Sequence, residues 1–266
     1  MEKFDSSPSG FCEGESRATG LLIVAGSGML KDAISMRVIA GQYRSRPLRS
    51  MPGLDLRPTS DRLRETMFDV LAGVSKLEGS VWLDLYAGTG AVGIEALSRG
   101  ARQVFFVESA RKHARLLREN LASLGIAGGF EVHQRDVTEA LPLLEKQGVV
   151  CDSCFLDPPY NQRGSYARSL EFLSQSRILQ PSSIVIAEHE KRFDPGGSFG
   201  TLARYRRLDQ GDASLSFYRF DPGQLVWPTR RPVGQTFGQG LKPFADRAHP
   251  LVASRRDGRS DILARS

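Results

Sequence analysis

The sequence predicts an α/β protein built on a doubly wound, mostly parallel sheet, and three features support this. From Val81 onward, short apolar runs typical of strands alternate with amphipathic stretches typical of helices. A glycine-rich turn, Gly88-x-Gly90-x-x-Gly93, lies between the first strand-like run and the first helical stretch. Two strand-like runs without a helix between them end the pattern, so we expect an antiparallel hairpin to close the sheet.

The boundaries of these elements follow from apolar periodicity and from turn residues. We expect strands at 81–86, 103–107, 130–134, 151–156 and 183–187, separated by helices at 91–99, 110–124, 137–147 and 165–178. The closing hairpin is expected to pair 203–208 with 214–220. Upstream of the sheet, Thr59-Ser60-Asp61 is typical of a helix start, and apolar positions 63, 67, 70 and 71 fall on one helical face.

The 266-residue chain divides by composition into four segments. Residues 1–35 are rich in Ser and Gly and are expected to be a disordered extension. Residues 36–80 are a basic segment, expected to form a hairpin and a helix, and 81–221 are the sheet domain. Residues 222–266 hold eight basic residues against three aspartates and are expected to be a disordered basic tail. The net charge of +6 points only weakly to a polyanionic partner.

Cysteine usage and hydropathy argue against several classes of protein. Three cysteines, an odd number, do not make a disulfide framework. Cys151 and Cys154 lie in a predicted strand, where residues three apart point to opposite faces, so we interpret them as core residues and expect neither a redox pair nor a metal site. The apolar run at 21–25 is far shorter than the ~20 residues that span a bilayer, and it lacks the basic region of a signal peptide. We therefore expect a cytoplasmic protein.

Acidic residues stand at the ends of four successive predicted strands. Asp84 precedes the glycine turn, and Glu108, Asp136 and Asp157 follow in the next three strands. The carboxyl ends of parallel strands share one edge of the sheet, where open α/β sheets bind ligands, so we expect these side chains to line one site. Glu108 suits the two hydroxyls of a ribose, and Asp136 suits an adenine amino group.

Two nucleotide cofactors fit the glycine turn: a pyridine dinucleotide and S-adenosylmethionine (SAM). Gly88 and Gly90 allow the backbone to turn sharply and to approach a ligand closely. An anionic Asp84 just ahead of this turn would repel a pyrophosphate but would suit the α-ammonium group of SAM. Asp84 alone is also compatible with a simple turn cap. Four carboxylates along one sheet edge are costly unless a ligand or solvent uses them, and they therefore favour a functional site. Within that site, Asp84 favours SAM.

The segment Asp157-Pro158-Pro159-Tyr160 follows the apolar run Cys154-Phe155-Leu156. The two prolines fix φ and remove two backbone donors, so the turn presents carbonyl groups without competing N–H groups. A carboxylate, carbonyls and an aromatic ring side by side suit a planar amino group on a ring that can be stacked. The alternative interpretation is a structural turn with a buried Tyr.

These residues resemble the motifs of a known class of enzymes. Asp84-Leu85-x-Ala87-Gly88-x-Gly90, Glu108, Asp136 and Asp157-Pro158-Pro159-Tyr160 are similar to the motifs of SAM-dependent amino-methyltransferases. Segments 36–41 (MRVIAG), 57–65 (RPTSDRLRE) and 95–101 (EALSRGA) resemble bacterial small-subunit (16S) rRNA guanine-N2 methyltransferases. The resemblance spans roughly residues 36–220, and it implies the Rossmann-like class I fold with seven strands and an antiparallel terminal hairpin.

The resemblance also implies an activity and a set of site residues. The reaction would transfer a methyl group from SAM to the exocyclic N2 amine of one guanine in 16S rRNA, by a monomer acting on an assembling small ribosomal subunit. The catalytic residues would be Asp157, Pro158, Pro159 and Tyr160. The cofactor-binding residues would be Asp84, Ala87, Gly88, Gly90, Glu108, Ser109, Asp136, Val137 and Thr59, the last in a segment that closes over the cofactor.

Arginines of the basic segment are candidate RNA contacts, because guanidinium forks match phosphate geometry. We expect Arg44, Arg46, Arg49, Arg57 and Arg62 to bind RNA, with a solvated basic face as the alternative. Arg62 and Arg64 lie two apart on a predicted helix and cannot share a face. One of them would therefore contact RNA while the other pairs with an acid of the core.

Three other functions stay open at the level of the sequence. A DNA adenine or cytosine amino-methyltransferase would share the motifs, although no obvious second domain for DNA sequence recognition is present. A pyridine-nucleotide oxidoreductase would share the glycine turn, but Asp84 and the closing hairpin oppose it. A noncatalytic RNA-binding protein would be expected to have lost the glycine turn or Asp157, and both are intact.

Overall fold

The computed structural model describes residues 36–50, 60–75, 77–221 and 223. The strands are β1 (Val81–Leu85), β2 (Gln103–Val107), β3 (Phe130–His133), β4 (Cys151–Leu156), β5 (Leu179–Glu190), β6 (Ser198–Phe199), β7 (Leu202–Gln210) and β8 (Ala213–Phe220). The helices are α1 (Asp61–Ala72), α2 (Ala91–Ser98), α3 (Arg111–Ser123), α4 (Val137–Lys146) and α5 (Gly164–Gln175). The predicted elements agree with these bounds to within a few residues.

The eight strands form one sheet in the order β3-β2-β1-β4-β5-β8-β7-β6. The first five strands are parallel, and β8 pairs antiparallel with both β5 and β7. The chain runs outward from β1 to β3 and then returns to β4 on the other side of β1. This reversal is a topological switch point, at which doubly wound sheets open a crevice for a ligand. The predicted Rossmann-like class with a closing hairpin is confirmed.

The predicted number of seven strands is wrong for the described residues, which contain eight. The additional strand is β6, whose two residues pair with Leu202 and Ala203 of β7. Two residues are too few to show alternation of apolar and polar side chains, so no sequence pattern marked this strand. β5 also begins earlier than predicted, at Leu179, because the chain stays extended through Pro181.

Each face of the sheet is covered by its own set of helices. On one face, Trp82, Phe155 and Ile186 belong to a core shared with apolar residues of α1, α2 and α3. The Trp82 ring stacks on Phe68 of α1 with 5.2 Å between ring centroids. On the other face, a second core packs the alternate strand residues against α4 and α5. We refer to the first as the α1 face of the sheet.

Cys151 and Cys154 are buried core residues with free thiols, in agreement with their interpretation from sequence. The expectation that they point to opposite faces is wrong, because both belong to the core that packs against α4 and α5. The pairing of β4 with β5 shifts register between Cys151 and Ser153, and this irregularity changes the alternation of side chains. Burial raises the pKa of both thiols, which makes them poor nucleophiles at neutral pH.

Residues 36–50 form a loop that docks on α2 and contains a short antiparallel pairing. Arg37 and Pro47 form a bridge, the Leu48 N–H donates to the Met36 carbonyl at 2.7 Å, and the Val38 N–H donates to the Arg46 carbonyl at 3.0 Å. The carboxylate of buried Glu95 accepts hydrogen bonds from the backbone N–H groups of Ile39 (2.7 Å) and Ala40 (3.0 Å). The Ser98 hydroxyl binds the Ala40 carbonyl and accepts from the Tyr43 N–H. Two sequence segments that resembled the same family, 36–41 and 95–101, are thus joined in space.

Helix α1 begins where predicted. Its N-cap is Ser60, whose hydroxyl accepts a hydrogen bond from the Leu63 N–H. Arg62 is exposed, whereas Arg64 is completely buried and donates to Asp61 (2.8 Å) and to the Arg37 carbonyl (2.6 Å). The two arginines therefore divide as expected between the surface and the core. Residues 1–35, 51–59 and 224–266 lie outside the described residues. The disordered extension and the disordered basic tail therefore stay predictions.

Candidate active site

A cavity of about 480 Å³ opens at the carboxyl edge of the parallel strands. Its walls come from the segments after β1, β2, β3 and β4, and from Met36 and Ser50 of the docked loop. Cavities of this size hold drug-sized ligands. The residues predicted at the ends of four separate strands are therefore brought together in one concave site.

Among the helices of the described residues, none has both the length and the apolar character required to cross a bilayer.

The turn after β1 contains three residues with positive φ: Tyr86 at 62°, Gly88 at 55° and Gly90 at 82°. Gly90 is the N-cap of α2, and a Cβ there would lie 2.9 Å from Leu117 Cγ. At Gly93 a Cβ would lie 2.2 Å from Phe106 Cε1, so this glycine lets α2 pack closely on β2. Gly88 lines the cavity and Gly90 does not. The glycines thus serve both the tight turn and helix packing, as in nucleotide-binding turns.

Asp84 lies buried at the cavity wall, and its Oδ2 accepts a hydrogen bond from the Gly93 N–H at 2.9 Å. It therefore caps the first turn of α2. Burial raises the pKa of Asp84 from 3.8 to about 7, the Gly93 hydrogen bond opposes this shift and the Glu108 charge adds to it. A cation bound in the cavity would stabilise the ionised form of Asp84.

We expect Asp84→Asn to remove a loss of folding stability that the wild-type protein suffers at alkaline pH, where buried Asp84 ionises. A group with a raised folded pKa contributes stability at low pH that is lost as the pH rises toward that pKa. With a pKa of about 7 against 3.8 when unfolded, the wild type should lose about 2.5 kcal/mol more than the variant between pH 5 and pH 8. The measurement is chemical denaturation at both pH values, with exposed Asp69→Asn as the control. If the free energy of unfolding changed equally with pH in Asp84→Asn and in the wild type, this prediction would be wrong.

Glu108 and Asp136 present acceptor oxygens at the cavity wall. Glu108 follows β2, is buried, and accepts hydrogen bonds from the N–H groups of Gly88 (2.8 Å) and Ala110 (2.7 Å). Asp136 is the N-cap of α4, and its Oδ1 accepts from Thr138 N at 2.8 Å and Thr138 Oγ1 at 2.6 Å. These bonds lower the pKa of Asp136, so it is ionised at neutral pH.

The segment Asp157 to Tyr160 leaves β4 at the same cavity. Asp157 and Pro159 line the wall, while Pro158 is buried and does not line it. Tyr160 is partly exposed and begins a short 3-10 turn that ends at Gln162. Burial raises the pKa of Asp157 well above its usual range, and the charges of Glu188 and Asp84 add to the shift. The carboxylate is therefore a stronger base than an ordinary surface Asp.

Most of the predicted cofactor residues meet at this cavity. Its lining includes Asp84, Ala87, Gly88, Glu108, Ser109, Asp136 and Val137. Thr59 lies outside the described residues, as does Arg57 of the predicted RNA contacts. Other lining residues were not predicted from the sequence, among them Met36, Tyr86 and Gln162. Tyr86 could be recognised only from the structure, because it is a non-glycine residue with a positive φ, and such residues are often found at functional sites.

The four described arginines of the predicted RNA contact set are all exposed. Arg46 Nη2 donates to the Ser123 carbonyl at 2.8 Å, and Arg49 lies 3.5 Å from the Glu119 carboxylate. Both contacts anchor the docked loop to α3, so Arg46 and Arg49 have a structural role in addition to any contact with RNA. Arg44 on the same loop and Arg62 on α1 are the other two.

Comparisons with known proteins agree with this site. The family model described as "Conserved hypothetical protein 95" matches residues 36–219. A Bacillus subtilis (strain 168) protein, YlbH, provisionally named an rRNA methyltransferase, is 31% identical over 184 residues, 69% of this chain and 98% of that protein. "Ribosomal RNA small subunit methyltransferase D" of Escherichia coli (strain K12) is 35% identical over 168 residues, 62% of this chain and 77% of that protein.

A solved structure shares the fold. The Escherichia coli protein yhhF, provisionally described as a methyltransferase, has a TM-score of 0.60 and 30% identity, and the match covers 70% of this chain and 98% of that one. The family match itself takes in the docked loop, the glycine turn, the strand-end carboxylates and the double-proline turn. This chain therefore belongs to the family described as Conserved hypothetical protein 95.

Proposed function

We propose that this protein transfers a methyl group from SAM to the exocyclic N2 amine of a guanine in 16S rRNA. The observation that carries the proposal is a shared cavity at the switch point between β1 and β4. This one cavity is lined by Asp84, Glu108 and Asp136 and also by Asp157. Relatives named as rRNA methyltransferases, one of them of the small ribosomal subunit, support the substrate class.

The cavity residues fit SAM. Gly88 allows close approach of a ligand, Glu108 offers two oxygens to ribose hydroxyls, and Asp136 offers an acceptor to the adenine amine. Buried Asp84 suits a cationic ammonium group, since a positive ligand would compensate its desolvation. The bound cofactor would supply an electrophilic methyl group.

The double-proline turn is the proposed amine site. Asp157, which lines the cavity, would accept one hydrogen of the target amine and hold its nitrogen with the lone pair toward the methyl group. The Pro158 carbonyl is the proposed acceptor for the other hydrogen, and it would have to turn toward the cavity, which Pro158 does not line. A guanine amine is a poor nucleophile because its lone pair is delocalised into the ring, so orientation and electrostatics supply most of the catalysis. Asp157 would then accept the released proton. Tyr160 would stack on the extruded base, a contact worth about 1–3 kcal/mol.

The basic segment 36–80 is proposed to bind the RNA backbone beside this cavity. The exposed Arg44, Arg46, Arg49 and Arg62 lie on the docked loop and on α1. Arg57 is proposed to contact RNA together with them, and Thr59 is proposed to close over the cofactor. The sheet domain 81–221 would then carry the chemistry. We propose that the protein acts as a monomer in the cytoplasm on an assembling small subunit.

Transfer of a tritiated methyl group tests the proposal. The purified protein and labelled SAM are incubated with small ribosomal subunits, with naked 16S rRNA and with DNA, and the labelled nucleoside is identified by mass spectrometry after digestion. We expect N2-methylguanosine from one of the two RNA substrates and no label in DNA. Label in adenine or cytosine of DNA would instead support a DNA amino-methyltransferase, and an absence of SAM binding in calorimetry would reject both.

A further inference from the structure

A second carboxylate, Glu188, lies beside Asp157 on the neighbouring strand. Leu156 of β4 pairs with Ala187 of β5, so the next residues along the two parallel strands are Asp157 and Glu188. Each follows an α1-face core residue by two positions, since Phe155 precedes Asp157 and Ile186 precedes Glu188. Residues two apart on a strand point to the same face. The two carboxylates therefore stand side by side on the α1 face.

The position of Glu188 is rigidly held and closed to solvent. Its side chain is 2% exposed and does not line the cavity. Its backbone pairs with Leu215 of β8, and its carbonyl accepts a 2.7 Å hydrogen bond from the hydroxyl of buried Tyr166. Glu188 is thus fixed next to a cavity residue without contacting the cavity, and the proposed methyl transfer assigns it no role.

Several charged or titratable groups face the Asp157 and Glu188 pair. Asp84 approaches from β1 and Arg64 from α1, and Tyr160 belongs to the turn itself. Tyr166 of α5 acts on the pair from the opposite face of the sheet. Arg64 is completely buried, and its Nε and Nη1 have no hydrogen-bond partner among the described residues. Its charge attracts Glu188 as well as Glu95 and Asp61. The charge of Glu188 in turn raises the pKa of Asp157.

We propose that Glu188 is a positioning residue that makes Asp157 a stronger proton acceptor than a lone carboxylate would be. The inference rests on the proposed function, because it concerns the proton released in that reaction. The amine nitrogen forms a bond to the methyl carbon as the bond between that carbon and its sulfur breaks with both electrons staying on sulfur. The nitrogen, now positively charged, then loses one hydrogen as a proton to the Asp157 carboxylate, which becomes neutral.

Glu188→Gln tests this role, because it keeps the shape of the side chain and removes its charge. The rate of methyl transfer should rise with pH as Asp157 ionises, and the midpoint of that rise should move to lower pH by about one unit or more in the variant. The plateau rate should fall about 3–10-fold because Asp157 is then a weaker base. The affinity for SAM should change little.

Glu190→Gln is the matched control. Glu190 lies two residues further along β5, and its carboxylate binds exposed Arg163 at 2.9 Å. We expect the pH profile of this variant to coincide with that of the wild type. If Glu188 served only the packing of the sheet, Glu188→Gln would lower the rate at every pH and leave the midpoint in place. That result would overturn the proposal.

A measurement without any substrate separates this inference from the proposed function. In protein labelled with carboxyl-¹³C aspartate, the Asp157 signal, identified by its loss in Asp157→Asn, can be titrated by NMR. We expect its midpoint to move to lower pH in Glu188→Gln and not in Glu190→Gln. A shift in this titration without methylation of any RNA would reject the proposed substrate and keep the coupling of the two carboxylates, whereas an unmoved signal would reject the coupling itself.

Discussion

Asp157→Ala is expected to lower the rate of methyl transfer by about 10³-fold, since it removes both an acceptor that orients the amine and the group that receives its proton. SAM affinity should stay within about threefold of wild type, because the proposed cofactor contacts lie on the segments after β1, β2 and β3. Single-turnover methylation of small subunits and calorimetric titration with SAM measure the two quantities. Equal losses of rate and of affinity would contradict the role of Asp157.

The loss of activity in this variant should not result from unfolding. Burial and the charges of Glu188 and Asp84 raise the pKa of Asp157, so its ionised form is a cost to the folded state at neutral pH. Removing the carboxyl group should leave the midpoint of thermal unfolding at pH 8 unchanged or higher. A clear decrease in that midpoint would mean that Asp157 supports the fold, and the kinetic result would then need another explanation.

Glu108→Ala is the reciprocal control. It removes the carboxylate that is proposed to bind the ribose and leaves the double-proline turn intact. We expect SAM affinity to fall first, with the rate largely recovered at saturating SAM. The pair of variants thus separates cofactor binding from chemistry within one cavity.

The sheet could be predicted because its physical signals are local. β2 and β4 agree with the predicted bounds, since buried parallel strands are short apolar runs such as Val104-Phe105-Phe106-Val107. The start of α1 followed from Ser60, a side chain that caps its own helix. The carboxylates at the strand ends could be placed in one site because parallel strands end at a common edge.

Other features depend on contacts that are distant in sequence. The docked loop is held by Glu95 and Ser98, more than fifty residues away, and no periodicity reveals such a partner. Met36 belongs to the segment that is expected to form a hairpin and a helix, and it lines the cavity because of that docking. Glu188 lies in a buried strand, and no sequence pattern distinguishes it, since its significance arises from its register with Asp157. The irregularity at Cys151 likewise depends on pairing with β5.

Gly41→Ala is expected to have the largest effect on the structure outside the cavity, because it would detach the docked loop. Gly41 has a φ of 80°, and a Cβ at this position would lie 1.8 Å from the carbonyl oxygen of Ser98. That oxygen is fixed, since it accepts a hydrogen bond from the Gln42 N–H at 2.7 Å. The collision involves backbone atoms of α2, so no change of side-chain rotamer relieves it. We expect a loss of about 3 kcal/mol in the free energy of unfolding.

Gly148→Ala separates this collision from backbone strain. Gly148 has a similar φ of 76°, but a Cβ there would have no atom within 4 Å. The control variant should lose only about 1 kcal/mol, the cost of a left-handed conformation for a residue with a Cβ. Denaturant unfolding of both variants gives the difference. If the two variants lost equal stability, the close contact between Gly41 and the Ser98 carbonyl would be wrong.

Gly41→Ala should also weaken cofactor binding, although Gly41 does not line the cavity. Met36 and Ser50, near the two ends of the docked loop, form part of the cavity wall, and the backbone of Arg49 is held by Asn120 through hydrogen bonds of 2.9 and 3.1 Å. Ser50 follows directly on the residue held by Asn120, whereas Met36 is tied to that end only through the Leu48 N–H, which donates to the Met36 carbonyl at 2.7 Å. A displaced loop would therefore move Met36 before it moves Ser50. We therefore expect SAM affinity to fall in Gly41→Ala and to stay normal in Gly148→Ala. Unchanged affinity in a destabilised Gly41→Ala protein would mean that the loop supports the fold without shaping the site.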